Sequence, residues 1–278
     1  TVDSLSAPQT AGISEGADVT SFTDQFAGRA KLGNRVQKFR RDYMVSDMQE
    51  AVDSVGPAKI AQAEAKAIRE LKRDIEATIA GTQDLAVENG AGVASQLRGL
   101  GDWLDGAAGN VPAAFQTPAS SIAATGTAFS ETILNNLISS VFRVTGSASN
   151  LMLVADTGLR RVIADFARTT SSATDNVRTV NYDGDSGSIK LSVDLYESDH
   201  GVVSIVNGNP DCMPAVTGGV ANGSGYLVNP EYYGVHELIP MGSTRLPNLG
   251  GGERGFVDCA LTLGVYHPGA HGYIQAIS

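Results

Sequence analysis

The sequence is poor in the features that crosslink a protein, anchor it in a membrane or bind metals. Its two cysteines, Cys212 and Cys259, are too few for a disulfide framework or a zinc cluster. We therefore expect a reducing compartment, with no metal and no cofactor. No stretch approaches the roughly 20 apolar residues that cross a bilayer, and no signal peptide opens the chain, so no membrane association is expected. Because Thr1 is not a natural first residue, we expect residues upstream of it.

Charged side chains are also scarce, at 18% of 278 residues, and the formal net charge is -10. An acidic chain is repelled by phosphate backbones, so sequence-specific nucleic-acid binding is not expected. The same acidity is compatible with a container for DNA, because a wall that bound phosphates would hinder packing and release. A low charge content also suits a protein that covers much of its surface with copies of itself.

The sequence contains no phosphate-binding loop, no dinucleotide-binding glycine motif and no nucleophile elbow. Gly184-Asp185-Ser186-Gly187 is similar to the nucleophile segment of chymotrypsin-like proteases, in which the histidine and aspartate precede the serine. Here all four histidines follow Ser186. A turn between two strands explains the same residues, so we predict that the protein is not an enzyme. A serine hydrolase using Ser186 is the alternative from another class.

Two further groups have spacings that are typical of metal sites. Asp183, Asp185 and Asp194 match part of a calcium-loop spacing, but Ser188 stands where that loop needs glycine. His267 and His271 are four residues apart, yet Pro268 and Gly269 interrupt any helix between them. Neither group therefore predicts a metal site.

Residues 1–46 have few large apolar side chains and predict an extended arm or a long hairpin with one acidic and one basic limb. A segment with so little core gains stability by lying on a partner, and opposite charges can set its register there. The outgoing limb has no basic residue and carries Asp3, Glu15, Asp18 and Asp24. The returning limb carries Arg29, Lys31, Arg35, Lys38, Arg40 and Arg41. The residues predicted to contact a neighbouring subunit are Asp3, Glu15, Asp18, Arg29, Lys31, Arg35, Lys38, Arg40 and Arg41.

Helical spacing recurs in three segments after the arm. A long helix is predicted over residues 57–80, because Pro57 suits the first helical turn and Gly81 suits the position after the last one. Its apolar stripe is Ile68, Leu71, Ile75 and Ile79. A second helix is predicted over residues 129–145, with a buried face of Ile133, Leu137, Val141 and Val144. The third follows a short buried strand at residues 151–154, and its stripe is Leu159, Val162, Ile163 and Phe166.

Two later segments alternate between apolar and polar residues, which predicts β-strands. The first segment has apolar positions at Ile189, Leu191, Val193 and Leu195. The second has apolar positions at Val257, Cys259, Leu261, Leu263 and Val265, and His267-Pro268 ends it.

Several blocks, in this order, resemble the major capsid proteins of tailed bacteriophages with the Hong Kong ninety-seven type fold, in particular a branch found in short-tailed phages. In the first half these blocks are Thr1-Val2-Asp3-Ser4-Leu5, Glu15-Gly16-Ala17-Asp18, residues 45–55, residues 70–76, Leu97-Arg98-Gly99-Leu100 and Trp103-Leu104. In the second half they are Asn229-Pro230-Glu231-Tyr232 and Ala270-His271-Gly272. Together they span nearly the whole chain.

The resemblance implies an α+β fold with three parts. These are an extended loop at residues 1–46, a peripheral domain at 47–146 that contains the long spine helix and is completed by 250–278, and an axial α/β domain at 147–249. It also implies self-assembly as hexamers and pentamers into an icosahedral head around double-stranded DNA, with portal and scaffold or decoration proteins as further partners. The protein is then expected in the virion, after assembly in the host bacterial cytoplasm. An encapsulin-like compartment, which shares the fold, is the alternative.

Overall fold

The computed structural model describes residues 2–3, 8–24, 26, 28–52, 59–90, 92–106, 109, 111–148, 150–166, 181–183, 188–190, 194–209, 211–213 and 223–275. Its α-helices are α1 (Asp47–Ala51), α2 (Lys59–Ala80), α3 (Leu100–Leu104), α4 (Glu131–Thr145) and α5 (Thr157–Phe166). Its strands are β1 (Gln37–Val45), β2 (Ile122–Ala123), β3 (Leu151–Ala155), β4 (Asn181–Asp183), β5 (Ser188–Lys190), β6 (Leu195–Ser198), β7 (Gly201–Asn207), β8 (Gly225–Val228), β9 (Tyr233–Leu246), β10 (Glu253–Val265) and β11 (Gly272–Ile274).

The long helix α2 forms where alanine, glutamate, lysine and arginine dominate the sequence, since these residues lose little freedom in a helix. Its 22 residues extend over about 33 Å. Leu71 is completely buried, and Ile68, Ile75 and Ile79 pack partly buried against the same core. The predicted helix is therefore confirmed over the described residues, and its predicted start at residue 57 lies outside them.

One face of α2 packs against a three-stranded antiparallel sheet in the order β1-β10-β9. Strand β10 alternates strictly, and its five predicted inward residues, Val257, Cys259, Leu261, Leu263 and Val265, are all buried. Strand β1 presents Phe39, Tyr43 and Val45 to the same core. The predicted strand over residues 257–265 is confirmed.

A second core lies in a mixed six-stranded sheet with the order β2-β11-β8-β3-β7-β6. Strands β3 and β7 are parallel, whereas β8 runs antiparallel to both of its neighbours, β3 and β11. Helices α4 and α5 pack on this sheet through Leu134, Leu137 and Leu159, each of which is 1% exposed or less. The predicted strand at 151–154 and the two helices beside it are confirmed.

One predicted buried position is wrong. Val144 is 37% exposed, because the buried face of α4 includes the predicted Leu137 and Val141 but extends to Leu134 and Ile138 and not to Val144. The error arises because a short pattern of apolar residues fits more than one face. Leu195, in the first alternating segment, lies in the edge strand β6 and is 62% exposed.

Strand pairing crosses the limits of the three predicted parts at three points. Strand β9, in the predicted axial part, pairs along its length with β10 of the predicted peripheral part. Strand β1, in the predicted arm, pairs through its nine residues with β10. Strand β11, in the predicted peripheral part, pairs with β8 in the six-stranded sheet. The division into three parts remains a prediction.

Two tyrosines join the two cores. Tyr226 of β8 stacks on Tyr273 of β11 with ring centroids 5.1 Å apart. The Tyr226 hydroxyl donates a 2.6 Å hydrogen bond to the carbonyl of Ala80, the last residue of α2. Burial raises the pKa of Tyr226 far above its ordinary value, so the hydroxyl stays protonated as a donor. The six-stranded sheet is thereby fixed to the end of the long helix.

Candidate subunit interface

The arm, residues 2–30, is closed at its base by an antiparallel backbone bridge. Val2 and Ala30 exchange N–H···O bonds of 2.9 and 3.0 Å. Beside the bridge, Arg29 Nε lies 3.0 Å from Asp3 Oδ2. One acidic and one basic residue of the two predicted limbs therefore pair within the subunit.

The arm tip, residues 8–24, lies away from the rest of its own subunit. Every residue in it is exposed, including Ile13 at 79%, Val19 at 71% and Phe22 at 91%. Within the described part of the chain, no hydrogen bond or ion pair joins the tip to a residue beyond the arm. Exposed apolar side chains on a segment without its own core indicate a surface that is covered by another molecule.

Asn34 anchors the arm to the body of the subunit. Its Nδ2 donates to the carbonyls of Arg98 at 3.1 Å and Leu263 at 2.8 Å, and its Oδ1 accepts from the Arg98 N–H at 2.7 Å. Thr262 Oγ1 adds a 2.7 Å bond to the carbonyl of Arg35. The side chain of one asparagine thus ties the returning limb to two separate segments of the peripheral core.

Arg98, whose backbone binds the Asn34 side chain, has a buried guanidinium group. Arg98, which is 1% exposed, bonds Asp84 Oδ1 at 2.6 and 3.0 Å and lies 2.9 Å from Asp102, with its charge 4.9 Å from the Trp103 ring. Partial burial would raise the pKa of Asp84, but hydrogen bonds from Arg98 and the Leu85 N–H lower it overall. Burial raises the pKa of Asp102 against the opposing attraction of Arg98. Two carboxylates therefore compensate the buried charge.

The basic run of the returning limb is divided between the two faces of β1. Arg41 points to the helix side and forms a bidentate pair with Asp74 of α2, at 2.5 and 2.7 Å. That pair raises the pKa of Arg41, chiefly through the hydrogen bond to Asp74 and then through the charge of Asp74. Lys38 and Arg40 lie on the opposite face, where Lys38 is 3.1 Å from Asp258. Arg41 therefore forms an exposed ion pair within the subunit, whereas Arg40 lies on the face opposite α2.

The face of the three-stranded sheet opposite α2 is called here the outer sheet face, and it includes Arg40, Ile239, Thr244 and Leu246. Exposed fractions there are 44% for Ile239 and 43% for Leu246. Sequence reasoning missed these apolar residues of β9, because the strand is almost wholly exposed and lacks an alternating pattern. It also missed the apolar side chains of the tip, because residues 1–46 contain few of them.

The structure brings some predicted contact residues together and leaves others apart. Asp3 pairs with Arg29, Lys38 with Asp258 and Arg41 with Asp74. Within the described residues no ion pair is found for Glu15, Asp18, Lys31, Arg35 and Arg40. Their contact with a neighbouring subunit remains a prediction.

The residues of the alternative chemistries do not form a described site. Asp185, Ser186 and the rest of their turn lie outside the described residues. Asp194 forms an ion pair with Arg160. His271 is fully buried and His267 half-buried, and among the described residues no group of three potential ligands could hold a metal ion. In the same part of the chain, no helix has both the length and the apolar character of a membrane span.

Solved structures with similar folds include an encapsulin complex, the capsid of a GTA particle and a mycobacterium phage. The holo-SrpI encapsulin complex of Synechococcus elongatus PCC 7942 matches at 12% identity and TM-score 0.53, over 87% of this chain and 74% of that one. The capsid of an empty GTA particle matches at 13% and 0.51, over 94% and 81%. Mycobacterium phage Patience matches at 13% and 0.50, over 95% and 77%. The fold is therefore the α+β capsid fold of the Hong Kong ninety-seven type, as the resemblance implied.

The family model of the SU10 major capsid protein matches residues 1–278. The chain belongs to this family, and a search of curated proteins finds no match. It is a bacteriophage capsid protein that assembles with itself into the shell of the virion. The family match favours a phage capsid over the encapsulin-like compartment, whose fold is the same. Membership in a structural family also favours a non-catalytic role.

Proposed function

We propose that the subunit forms hexamers and pentamers of an icosahedral head that encloses double-stranded DNA, and that its arm lies on a neighbouring subunit. The observation that carries this proposal is the arm tip, which exposes Ile13, Val19 and Phe22 and makes no polar contact with the described body of its own subunit. Burying three such side chains on a partner stabilises the contact by about 1.5–3 kcal/mol for each side chain, before the entropy lost on ordering the tip is subtracted. The same contact is then repeated around a closed shell.

The proposal retains the three-part division with modified limits. The extended loop is the arm, the peripheral part is the three-stranded sheet with α2, and the axial part is the six-stranded sheet with α4 and α5. Portal, scaffold and decoration proteins are proposed as further partners, and the protein is proposed to have no catalytic activity. The net charge of -10 supports enclosure of DNA without sequence-specific binding.

Deleting the tip tests this role. A variant with residues 8–24 replaced by a short Gly-Ser linker should fold like the natural subunit, because the tip has no described polar contact with the body. Sedimentation velocity should then find the natural protein in shells and the variant in small oligomers. A control with Ile13, Val19 and Phe22 all changed to serine keeps the length of the loop and should also assemble poorly. Normal shells from both variants would contradict the proposed role of the tip.

The enclosed cargo needs its own measurement. Particles purified from infected cells are treated with nuclease, and the protected nucleic acid is then extracted and measured. Double-stranded DNA of uniform length is expected for a phage head. Particles that contain protein cargo without protected DNA would instead support a compartment.

A further inference from the structure

An open groove runs between the first half of α2 and the end of β1. It has a volume of about 710 Å³, and its apolar lining includes Met44, Val45 and the small side chains of Ala61 and Ala65. Met44 is 64% exposed, and both alanines are exposed. We call this feature the α2 groove. The alanines leave room beside the helix that larger side chains from another molecule can fill.

The α2 groove is positively charged. Lys59, Lys66 and Arg69 line it, and none of its described lining residues is acidic. Lys59 bonds the carbonyls of Gln49 and Val52, and Lys66 lies 3.7 Å from Glu70, its neighbour on the helix. Arg69 has no ion pair among the described residues. A cationic, partly apolar groove on a chain of net charge -10 attracts an acidic, partly apolar segment.

The arm tip has the complementary composition. Its 17 residues contain Glu15, Asp18 and Asp24 and no lysine or arginine. Ile13, Val19 and Phe22 lie among these carboxylates along the segment. The tip therefore carries the acidic groups that the described lining of the groove lacks and apolar groups that can pack on its apolar lining.

The outer sheet face is a poorer match for the tip. Its cations alternate with acids, since Lys38 already pairs with Asp258 at 3.1 Å and Asp42 lies beside Arg40 on β1. An acidic segment on that face would meet carboxylates as well as cations. The α2 groove offers cations without that repulsion.

We infer that the tip of one subunit occupies the α2 groove of a second copy, with apolar side chains on Met44 and Ala65 and with carboxylates facing Lys66 and Arg69. This inference rests on the proposed contact of the arm with a neighbouring subunit and names the surface that receives it. The groove thereby makes the first half of the long helix a subunit contact, in addition to its role in the core.

A charge swap tests the pairing in the full-length protein. The tip variant carries Glu15→Lys and Asp18→Lys, the groove variant carries Lys66→Glu and Arg69→Glu, and the swap variant carries all four changes. The tip variant and the groove variant should each raise the protein concentration needed for assembly about tenfold or more. In the swap variant this concentration should return to within about threefold of that of the natural protein. The control Thr244→Glu, at an exposed position of the outer sheet face that is not a predicted contact, should assemble normally.

The outcomes separate the possible contacts. A swap variant that assembles no better than either half would overturn the inference. So would loss of assembly by Thr244→Glu that is rescued by the tip variant, because the tip would then lie on the outer sheet face. Failure of the natural protein to form shells would overturn the proposed function itself.

Engineered cysteines give a second readout that does not depend on the effects of charge. Val19→Cys is combined with Ala65→Cys in the groove or, as the matched control, with Thr244→Cys on the outer sheet face. Both natural cysteines are buried. Mild oxidation of assembled particles should give ladders of disulfide-linked subunits for the groove pair alone. Ladders from the control pair alone would place the tip on the sheet and contradict the inference.

Discussion

Acidification should destabilise the subunit through His271, which has no exposed surface. Its Nδ1 accepts a 3.1 Å bond from the Asn229 N–H, so Nε2 carries the proton and faces the carbonyl of Tyr232 at 3.4 Å. Burial, opposed by the hydrogen bond to the Tyr232 carbonyl and assisted by nearby His267, lowers the pKa of His271 to about 4 from the ordinary 6.5. The folded state therefore favours the neutral ring.

The size and sign of the effect follow from these two pKa values. Because the folded pKa is below the unfolded one, the stabilisation is fully present above pH 6.5 and is lost as the pH falls toward 4. At about 1.4 kcal/mol per pH unit, the loss by pH 4 is about 3 kcal/mol. Burial also lowers the pKa of half-buried His267, which adds to the loss in the same direction.

Urea denaturation of unassembled subunits between pH 7.5 and pH 4 measures this loss. The comparison is His271→Asn, whose amide oxygen can accept the bond from Asn229 but cannot be protonated in this range. The variant should be less stable at pH 7.5, since its shorter side chain leaves a cavity. Its free energy of unfolding should nevertheless vary by about 3 kcal/mol less over the pH range. An equal pH dependence in both proteins would refute the reasoning.

Three substitutions should lower the free energy of unfolding, each measured by urea denaturation at pH 7.5. Asn34→Ala removes four hydrogen bonds and leaves the Arg35 and Arg98 N–H groups without this acceptor, for about 2–4 kcal/mol. Leu71→Ala empties a fully buried position of α2, for about 2–5 kcal/mol. Gly252→Ala strains a residue with φ of +126° and puts a methyl group 2.1 Å from the Val45 carbonyl, for about 1–3 kcal/mol. If any of these variants had the same free energy of unfolding as the natural protein, the structural role given to that residue would be contradicted.

The elements with a strict period were predictable from sequence. Strand β10 alternates over Val257 to Val265, and α2 repeats its apolar residues at helical spacing, so each pattern allows one buried face. The short strand β3 and helix α5 follow from the change of period between them. Because these elements bury their apolar residues within one subunit, the periodic spacing of those residues is visible in the sequence.

The pairing of β9 could not be predicted in the same way. Nearly all of its 14 residues are exposed, so burial leaves no period in the sequence. The candidate interface shows the same effect, because the charges of the arm were visible but their division between the two faces of β1 depends on pairing with Val257 and Asp258. Arg41 was therefore grouped with Arg40, although it forms an internal pair with Asp74.

The most direct test of the account is a cryo-electron microscopy reconstruction of assembled particles, at a resolution that resolves side chains. The account predicts a closed icosahedral shell in which residues 8–24 of each subunit lie against the body of a neighbour. A particle in which this segment folds back on its own subunit, or a preparation that contains monomers and no shells, would contradict it.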